Sequence, residues 1–408
     1  MANTILQPTT ITRAFLKILH NKSALLKRVN RQYDNSFGKD GAKIGDTLKI
    51  RRPVQYTVRS GRTYSAQDVQ EYSTDLTVAT QRGVDFEFNS DDLTLKIEDF
   101  SERYLVPAAA VLATNIDYTV LAAAKNAVAN LVGTRGTTPA TLLTYLQAGA
   151  KLDYAACPRD GYRYIANEPN HAAATVDGLK GLFQSSSEIA SQYEDGMMGR
   201  TAGFEFSMSQ NLPIHTVGPL GGTPLVNGGS QSITTGWAAT ASLITDGWTA
   251  AAASRVKAGD VFTIANVYSV NAQTKVSTGQ LQQFVITADG SSDGSGNLTL
   301  TVSPAIITGG AYQNVNSVPA DNAALTFNGT ASTAYTESLA FHKGFATIVT
   351  ADLILPKNMD MAARETYENV SARFVRGFDI TNDKFVTRMD VLFGYAFPRP
   401  EWACRITG

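Results

Sequence analysis

The stretch RRPVQYTVRSGRTYSAQDVQ, residues 51–70, restricts the fold strongly because it carries too little apolar surface to form a core of its own. Its first half alternates apolar and polar residues, which predicts a half-exposed strand, and Ser60-Gly61 predicts a turn. The apolar members are Val54, Tyr56 and Val58. A two-stranded ribbon is marginal alone in water, so this one needs a surface that it does not itself supply.

At 408 residues, the chain is long enough for two or three domains, and its formal charge of -1 gives no overall attraction to nucleic acid or to an anionic membrane. The N-terminus shows no secretory signal, and polar residues interrupt the most apolar stretch, residues 105–132. We therefore expect a soluble cytoplasmic protein with no membrane partner. Cys157 and Cys404 predict two buried free thiols, although a single bridge between them stays open.

The first 35 residues predict an amphipathic helix with a basic face. Its apolar residues fall at helical spacing and are Ile11, Phe15, Ile18, Leu25, Leu26 and Val29. The cations of the same segment are Arg13, Lys17, Lys22, Lys27, Arg28 and Arg31. Two interpretations stay open: a solvated basic face on a terminal helix, or a detachable arm outside the main core that binds an acidic partner or packaged polyanion.

A long bent strand that includes Phe86 and Phe88 precedes a run of acids. These acids are Asp91, Asp92, Glu98, Asp99 and Glu102. Their spacing lacks the oxygen-rich loop and central glycine of a calcium site, so capping of the next helix explains them better. That helix is predicted from about Asp99 to Val132, with Pro107 in its first turns.

Residues 137–218 predict alternating helices and strands. A threonine–proline pair at 138–139 opens a helix that ends near Leu152. The strand YRYIAN follows, and then a helix capped by Asn170, at the start of which His171 is expected to be a capping or exposed imidazole. A turn and a strand, GRTAGFEFSMSQNLP, complete the segment.

From about residue 219 to 335, the chain is rich in small polar residues and has few charges. Short alternating strands separated by glycine clusters predict an inserted all-β module, a small barrel whose two ends lie close together. Asp289 and Asp293 in ADGSSDGSG resemble a cation-binding loop only faintly, and a hairpin tip explains them better.

The segment after the module predicts mainly strands. AFHKGFATIVTADLI and VSARFVRGFDI have strand character, and KNMDMAARETYEN between them predicts a connector with a helical turn at most. KFVTRMDVLFGYAFPRPEWACRI predicts an unusually long strand with one alternating face. That face comprises Phe385, Thr387, Met389, Val391, Phe393, Tyr395 and Phe397. We expect this strand to pair with the strand that carries Phe86 and Phe88.

The residue types of common active sites occur without their usual spacing. The four histidines are scattered, and no two of them lie at the spacing that places two metal ligands on one helix face. The sequence also lacks a Gly-x-Ser-x-Gly elbow and a phosphate-binding glycine loop. We therefore expect no enzymatic activity, no cofactor and no metal, although a site assembled from distant residues would escape this search.

The order of these elements resembles that of the major capsid proteins of tailed bacteriophages, the Hong Kong 97 type. Four stretches carry the resemblance: GAKIGDTLKIRRP, GRTAGFEFSMSQNLP, LAFHKGFATIVTADLILPK and RMDVLFGYAFPRPEWACRI. The module inserted after the NLP strand is similar to the extra domain of short-tailed-phage coat proteins. The resemblance implies an α+β fold, the Hong Kong 97-type capsid fold, with an inserted all-β barrel-like domain.

The resemblance also implies a division of the chain into domains. These are an N-terminal arm (1–35), an E-loop (36–80), a peripheral-domain strand and spine helix (81–134), the first part of an axial domain (135–218), the inserted β domain (219–335), and the return of the axial and peripheral domains with the terminal long strands (336–408).

The implied function is that of a major capsid protein that self-assembles into the icosahedral shell enclosing a phage double-stranded DNA genome. The implied partners are the protein itself in hexamers and pentamers, a scaffolding protein, a portal complex, and packaged DNA through non-specific electrostatics. The protein would assemble in the host cytoplasm and reside in the virion. Two other classes stay open: a β-rich binding or decoration module of a virion, and a β-rich hydrolase.

The resemblance gives the ribbon a partner, because shells are built from repeated contacts between identical subunits. The residues of this intersubunit arm would be Arg51, Arg52, Arg59, Gly61 and Arg62. Their acidic partners on the neighbouring subunit would be Asp91, Asp92, Glu98 or Asp99. The basic N-terminal arm that lies near the polyanion would be marked by Arg13, Lys17, Lys27 and Arg28.

Overall fold

The computed structural model describes residues 8–34, 47–59, 61–64, 66–67, 71–89, 104–179, 199–229, 231, 236–250, 254–357 and 359–407. The chain divides into two compact units. The first unit comprises Met1–Ile50, Ser73–Val120 and Ala346–Pro398, and the second comprises Arg51–Tyr72, Leu121–Phe345 and Arg399–Gly408.

Four α-helices, two short 3-10 helices (Lys343–Phe345 and Pro400–Trp402) and twenty-one strands lie within the described residues. The helices are α1 (Pro8–Lys22), α2 (Val106–Ala127), α3 (Leu142–Tyr154) and α4 (Pro169–Leu179). The strands are β1 (Asn30–Asp34), β2 (Thr47–Arg51), β3 (Ser73–Asn89), β4 (Leu131–Val132), β5 (Arg163–Asn167), β6 (Arg200–Thr201), β7 (Phe204–Met208), β8 (His215–Thr216), β9 (Gly222–Val226), β10 (Ala241–Trp248), β11 (Val261–Val270), β12 (Ser277–Ile286), β13 (Leu298–Ser303), β14 (Leu325–Phe327), β15 (Ala334–Tyr335), β16 (Glu337–His342), β17 (Thr347–Ala351), β18 (Met361–Tyr367), β19 (Val370–Asp379), β20 (Lys384–Ala396) and β21 (Ala403–Thr407).

The first unit is organised around β20, the long strand predicted at the end of the chain. One edge of β20 pairs with β3, and the other pairs first with β19 and then with β17. The pairing with the strand that carries Phe86 and Phe88 is confirmed, since Thr387 lies opposite Phe86 in the register. The register shifts at Gly394, where a Cβ would lie 2.3 Å from the carbonyl oxygen of Thr77, so the close approach requires glycine.

The connector predicted between the two strands that follow the module is wrong. Met361–Tyr367 forms β18, which makes an antiparallel hairpin with β19 from Met361 opposite Arg376 to Tyr367 opposite Val370. The two residues of the turn, Glu368 and Asn369, both have positive φ, as a two-residue hairpin turn of type I′ requires. Pairing along β19 therefore overrides the weak helical character of the sequence in this segment.

A six-stranded sheet in the order β4-β21-β16-β5-β7-β6 forms one part of the second unit. Helix α3 begins at Leu142 with Thr141 as its N-cap, so the predicted start at residues 138–139 is wrong. Helix α4 begins at Pro169, and its free amides are bound by Glu168 rather than by the predicted cap, Asn170. Glu168 accepts hydrogen bonds from the amides of the next two non-proline residues, which a proline at the first helical position makes possible.

The module predicted at residues 219–335 contains a six-stranded sheet in the order β14-β11-β12-β13-β10-β9. The two outer strands meet, because Leu225 bridges Ala324 and the Val226 amide donates to the Ala323 carbonyl oxygen at 2.9 Å. The sheet is therefore barrel-like, as predicted. Its interior is apolar and includes Leu243, Phe262 and Phe284, none of them more than 1% exposed.

Helix α2 ends at Ala127, before the predicted end at Val132, and has Pro107 in its first turn, where the missing amide costs no hydrogen bond. By length and mean hydropathy, 1.3, α2 is long and apolar enough to cross a membrane, a test that core helices of soluble proteins also pass. One of its inward residues is a carboxylate, Asp117, which is 1% exposed. The first residues of the predicted helix, 99–103, lie outside the described residues.

Candidate assembly surfaces and the buried junction

Most described side chains of the segment from Arg52 to Tyr72, here called the arm loop, are exposed to solvent. Tyr56 is 62% exposed, Val58 96% and Tyr64 85%. The predicted strand over Val54–Val58 is wrong for the described residues, because none of them joins a sheet. The alternating apolar row has no partner strand within its own chain there, and an unpaired strand is not stable in water.

A few local hydrogen bonds give the arm loop its shape. The Gln67 side chain binds both backbone groups of Thr57, accepting from its amide at 2.9 Å and donating to its carbonyl oxygen at 2.5 Å. The Arg59 guanidinium donates to the carbonyl oxygens of Gly61 and Thr63. Gly61 has φ +83°, a left-handed conformation that favours glycine. Arg59 therefore closes the turn at the tip instead of extending from it.

The remaining arginines of the predicted arm have different surroundings. Arg51 pairs with Glu71 at 3.2 Å, and both side chains are largely exposed. Arg52 pairs with Glu401 at 2.6 Å, with only 11% of its side chain exposed, so its charge is used within its own subunit. Arg62 is exposed at the tip. The proposed acidic partners Asp91, Asp92, Glu98 and Asp99 lie outside the described residues.

Helix α1 is part of the core of the first unit, so the expectation that this segment lies outside the main core is wrong. It packs on β18 and β19. Its inward residues are almost completely buried and are Ile11, Thr12, Phe15, Leu16 and Leu19. Four large apolar side chains on one face give the helix a hydrophobic driving force that its basic residues do not oppose, because they occupy the other face.

The basic residues of the N-terminal segment divide into two groups. Arg13 and Lys17 are exposed on the outer face of α1 and line a groove with Thr9, Thr10 and Glu365. Lys27 donates to the carbonyl oxygen of Asn21 and Arg28 to that of Ala24, which holds both side chains along the turn after the helix. Arg13 and Lys17 therefore lie on a solvent-exposed basic face, and their contact with a polyanion stays a prediction.

A buried carboxylate fixes the turn that follows α1. Asp117 in α2 accepts a hydrogen bond from the Ser23 hydroxyl at 2.6 Å and from the Ala24 and Leu25 amides at 2.8 and 3.4 Å. Ser23 in turn accepts from the Leu26 amide at 2.9 Å. Burial raises the pKa of Asp117 to about 6, although these hydrogen bonds favour the ionised form.

The chain leaves the six-stranded sheet after β7 and returns to it at β16 through one short pair of strands, β8 and β15. In that pair, His215 lies opposite Tyr335 and Thr216 opposite Ala334. A second connection comes from Gln283 in β12, whose side-chain amide both accepts from the Leu131 amide and donates to the Leu131 carbonyl oxygen, each at 2.9 Å. The Gln283 side chain thus makes the two hydrogen bonds to Leu131 that a neighbouring strand would otherwise make, and it connects the barrel to β4.

A buried ion cluster lies at the same junction. Arg405 in β21 binds both carboxylate oxygens of Glu337 at 2.7 Å, and Arg135 binds one of them at 2.8 Å. All three side chains are at most 5% exposed. Burial alone would raise the pKa of the Glu337 carboxyl, but the guanidiniums of Arg405 and Arg135 hold it below its ordinary value.

The cations of this cluster also reach backbone groups of the inserted module. Arg405 donates to the Gly259 carbonyl oxygen at 2.7 Å and Arg135 to that of Asn328 at 3.0 Å. Gly259 has φ +98°, and a Cβ there would lie 3.0–3.1 Å from Asn126 and His215. The junction is therefore closely packed as well as charged.

A histidine–carboxylate pair completes the junction. His215 lies 2.8 Å from Asp260, and both side chains are 1% exposed. Burial lowers the pKa of His215 despite this contact, so the neutral imidazole donates to the carboxylate. Asp260 also accepts from the Gly218 and Lys257 amides. The arrangement has the parts of a general-base pair but is buried, and backbone amides hold its carboxylate in place.

The other expected site features have structural explanations. His171 is buried and contacts the Ser338 and Thr336 hydroxyls, so the expectation of a capping or exposed imidazole is wrong. Asp293 accepts from the amides of Ser295 and Asn297, as at a turn. Cys157 and Cys404 are free and buried as predicted, and burial raises the pKa of their thiols to about 11 and 12. Within the described residues, no group of three or more metal-ligating side chains occurs.

Sequence reasoning missed the junction residues. Arg135, Glu337 and Arg405 are far apart in the sequence, and no spacing rule relates them. One signal was present in the sequence: Arg405 is the one charged residue of the stretch WACRIT, all of whose strand residues are buried in the structure. A charged residue in such a strand requires a buried partner of opposite charge.

Comparison with known proteins identifies the family. The model of the family described as "P22 coat protein - gene protein 5" matches residues 1–408, the whole chain. No curated protein sequence matches the chain.

Solved capsid structures are similar to the chain at low identity. A Mycobacterium phage Che8 structure has a TM-score of 0.48 at 14% identity, with 94% of this chain and 90% of that chain covered. The capsid of Ralstonia phage GP4 has a TM-score of 0.45 at 8% identity, with 95% and 91% covered. The CUS-3 coat protein I-domain is 29% identical over 28% of this chain and 94% of that domain, with a TM-score of 0.17.

The family match decides between the classes that the sequence left open. It confirms the α+β, Hong Kong 97-type capsid fold with an inserted barrel-like domain, and it sets aside a decoration module. A coat-protein family is a structural one, which favours a non-enzymatic role. The chain belongs to the P22 coat protein family and is a phage major capsid protein, a virion component whose copies associate into an icosahedral shell.

Proposed function

We propose that the shell formed by this protein encloses a double-stranded DNA genome and is built from hexamers and pentamers in which the arm loop binds a neighbouring subunit. Assembly takes place in the host cytoplasm with a scaffolding protein and a portal complex. The observation that carries the proposal is the exposure of the arm loop: Val58 is 96% exposed on a loop that is fixed at its base. Large apolar groups held in solvent mark a protein contact.

The charges of the tip favour an acidic partner surface. Arg62 is exposed there, and a guanidinium binds carboxylates with two parallel hydrogen bonds. Asp91, Asp92, Glu98 and Asp99 remain the proposed partners on the neighbouring subunit. Each exposed pair contributes only about 0–1 kcal/mol, which suits a shell that corrects errors while it assembles.

The outer face of α1 is proposed to face the packaged genome. Arg13 and Lys17 are exposed there, and Lys27 and Arg28 extend the positive charge along the following turn. Contact with DNA through such residues is electrostatic, independent of sequence and weakened by salt. A double variant, Arg13→Gln with Lys17→Gln, tests this contact. A packaging yield that equals the parent's and does not depend on salt would support a solvated basic face that binds no ligand.

The arm proposal is tested by reversing charge at its tip. The Arg62→Glu variant is expected to unfold at the same denaturant concentration as the parent subunit and to give fewer or aberrant shells in sedimentation and negative-stain images. Arg59 is left unchanged because it closes the tip within the subunit. The matched control is Lys357→Glu, the same charge change at an exposed position outside the loop. Normal shell yield from Arg62→Glu would remove the arginine contact from the proposal.

A further inference from the structure

The base of the arm loop is held far more firmly than its tip. The Arg52 amide donates to the Tyr72 carbonyl oxygen at 2.8 Å, which brings the two ends of the loop together. The adjacent pair, Arg51 and Glu71, adds an ion pair at 3.2 Å. We call Arg52 and Tyr72 the neck of the loop.

The neck contacts two aromatic residues of the inserted module. The Arg52 guanidinium lies over the Trp237 ring, 4.6 Å from its centroid. The Tyr72 ring is 5.9 Å from Trp237 and makes an edge contact with Tyr312 at 5.2 Å. Glu401, near the end of the chain, holds the other side of the Arg52 guanidinium at 2.6 Å. Three segments that are distant in the sequence thus meet at the neck.

Trp237 has no part in the interior of the barrel. The buried core cluster of the barrel does not include it, and Tyr312 is a partly buried residue that packs against that cluster. Both rings are half-buried. Trp237 contacts the Arg52 guanidinium, and Tyr312 contacts the Tyr72 ring. A flat aromatic face and a stacked guanidinium give a directional contact as well as an attractive one.

We propose that Trp237 and Tyr312 are positioning residues through which the inserted module fixes the direction of the arm loop before a neighbouring subunit is present. The consequence for assembly rests on the proposed role of the loop as an intersubunit arm. A loop whose described residues join no sheet cannot set its own direction, whereas a clamped neck can. A preset direction lowers the ordering cost when the loop binds its partner.

The direction of the loop can be measured in the unassembled full-length subunit. Val58→Cys places one spin label at the tip and Val276→Cys a second on the barrel, at positions that are 96% and 66% exposed. The native thiols Cys157 and Cys404 are buried and have raised pKa values, so they do not compete for the label at neutral pH. Pulsed electron–electron double resonance then gives the distribution of distances between the two labels.

Trp237→Ala is expected to widen this distribution at least about twofold and to lower the assembly rate about tenfold, because the freed loop must be ordered during binding. Trp237→Phe keeps the flat ring and should retain most of the narrow distribution. The matched control is Tyr154→Ala, which removes an exposed aromatic ring from α3 and should change neither the width nor the melting of the barrel.

The outcomes separate this inference from the proposed function. If Trp237→Ala loosens the barrel itself, Arg52→Gln tests the same clamp from the loop side. An unchanged distribution in both variants would overturn the inference. A widened distribution with an undiminished assembly rate would support the clamp and contradict the intersubunit role of the loop.

Discussion

Helix α1 and the arm loop were both predicted as projecting arms, yet the structure places them at opposite extremes of burial. Phe15 in α1 is 1% exposed, whereas Val58 in the loop is 96% exposed. Both segments are rich in cations, so charge does not distinguish them. The apolar side chains do: those of α1 are large and share one helix face, and those of the loop are fewer and lack a partner strand among the described residues. Apolar content on one face, rather than charge, decides whether a basic segment is anchored.

Helix α1 and the arm loop therefore have different roles, although both were predicted as arms. Helix α1 contributes to the stability of its own unit, and only its outer face is available to other molecules. The arm loop contributes little to its own subunit and is available almost along its described length. Variants that destabilise the subunit and variants that impair assembly should therefore fall in different segments.

The largest expected effect is the deletion of Pro8–Lys22. Each of its four buried apolar side chains contributes about 1.5–3 kcal/mol, so the loss of roughly 6–12 kcal/mol is comparable to the whole stability of a domain. We expect the deleted protein to be insoluble or partly unfolded, contrary to the view of α1 as detachable. Circular dichroism and proteolysis of the purified chain would measure this.

A single substitution tests the same point quantitatively. Phe15→Ala is expected to lower the free energy of unfolding by about 3–5 kcal/mol in denaturant titrations. Arg13→Ala, on the outer face of the same helix, is the control and should change it by less than about 0.5 kcal/mol. Similar small changes in both variants would mean that the helix is not part of the core in solution.

The next prediction compares the loss of a buried ion pair with the loss of an exposed ion pair at the base of the arm loop. Glu337→Gln leaves the guanidiniums of Arg405 and Arg135 buried without a counter-charge, and we expect a loss of about 3–5 kcal/mol. Glu71→Gln removes the partner of Arg51 at the exposed base of the loop and should cost about 0–1 kcal/mol. Urea unfolding of both variants gives the comparison. A cost below about 1 kcal/mol for Glu337→Gln would show that the cluster is hydrated in solution.

Much of the fold could be predicted from local pattern, because apolar residues recur at regular spacing in the sequence when one face of a strand or helix is buried. The alternation from Phe385 to Phe397 predicted β20, and the composition change near residue 219 predicted a β-rich segment. The bounds of the inserted domain stay a prediction. Helix starts were less accurate, since α3 begins at Leu142 and Glu168 took the capping role expected of Asn170.

The sites depend on long-range pairing and were less predictable. The Glu337–Arg405 contact and the Trp237–Arg52 contact join residues more than 60 positions apart, and neither obeys a spacing rule. Strand character at Val54–Val58 was predicted from alternation alone, but a strand needs a partner that local sequence does not provide. A charged residue within an apolar strand stretch, such as Arg405 in WACRIT, is the sequence signal that would have directed attention to the junction.

A pH dependence is expected where α1 joins the core. Asp117 has a pKa of about 6 in the folded protein and about 4 in the unfolded chain, so the folded state binds the extra proton between these values. The stability that this proton contributes is fully present below about pH 4 and is lost as the pH rises through about 6. The difference between parent and Asp117→Asn in free energy of unfolding should therefore change by on the order of 2 kcal/mol across this range. A difference that is constant from pH 4 to pH 7 would contradict the raised pKa.

The smallest effect on stability is expected at the tip of the arm loop. This prediction gives the sharpest contrast between the loop and α1. Tyr56→Ser combined with Val58→Ser removes the most exposed apolar groups of the first half of the loop, which bury little surface within the subunit. The free energy of unfolding should change by less than about 0.5 kcal/mol, because surface substitutions without buried contacts have effects of that size. Assembly should nevertheless fall, since the same groups would bury their apolar area against a neighbour and lose about 25 cal/mol per Å² when replaced. The measurement is the subunit concentration above which shells appear in light scattering, which is expected to rise while the melting temperature stays constant. A paired loss of stability and assembly would place the loop with α1, as part of the subunit's own fold, and an unchanged threshold would leave the exposed row without a role in the shell.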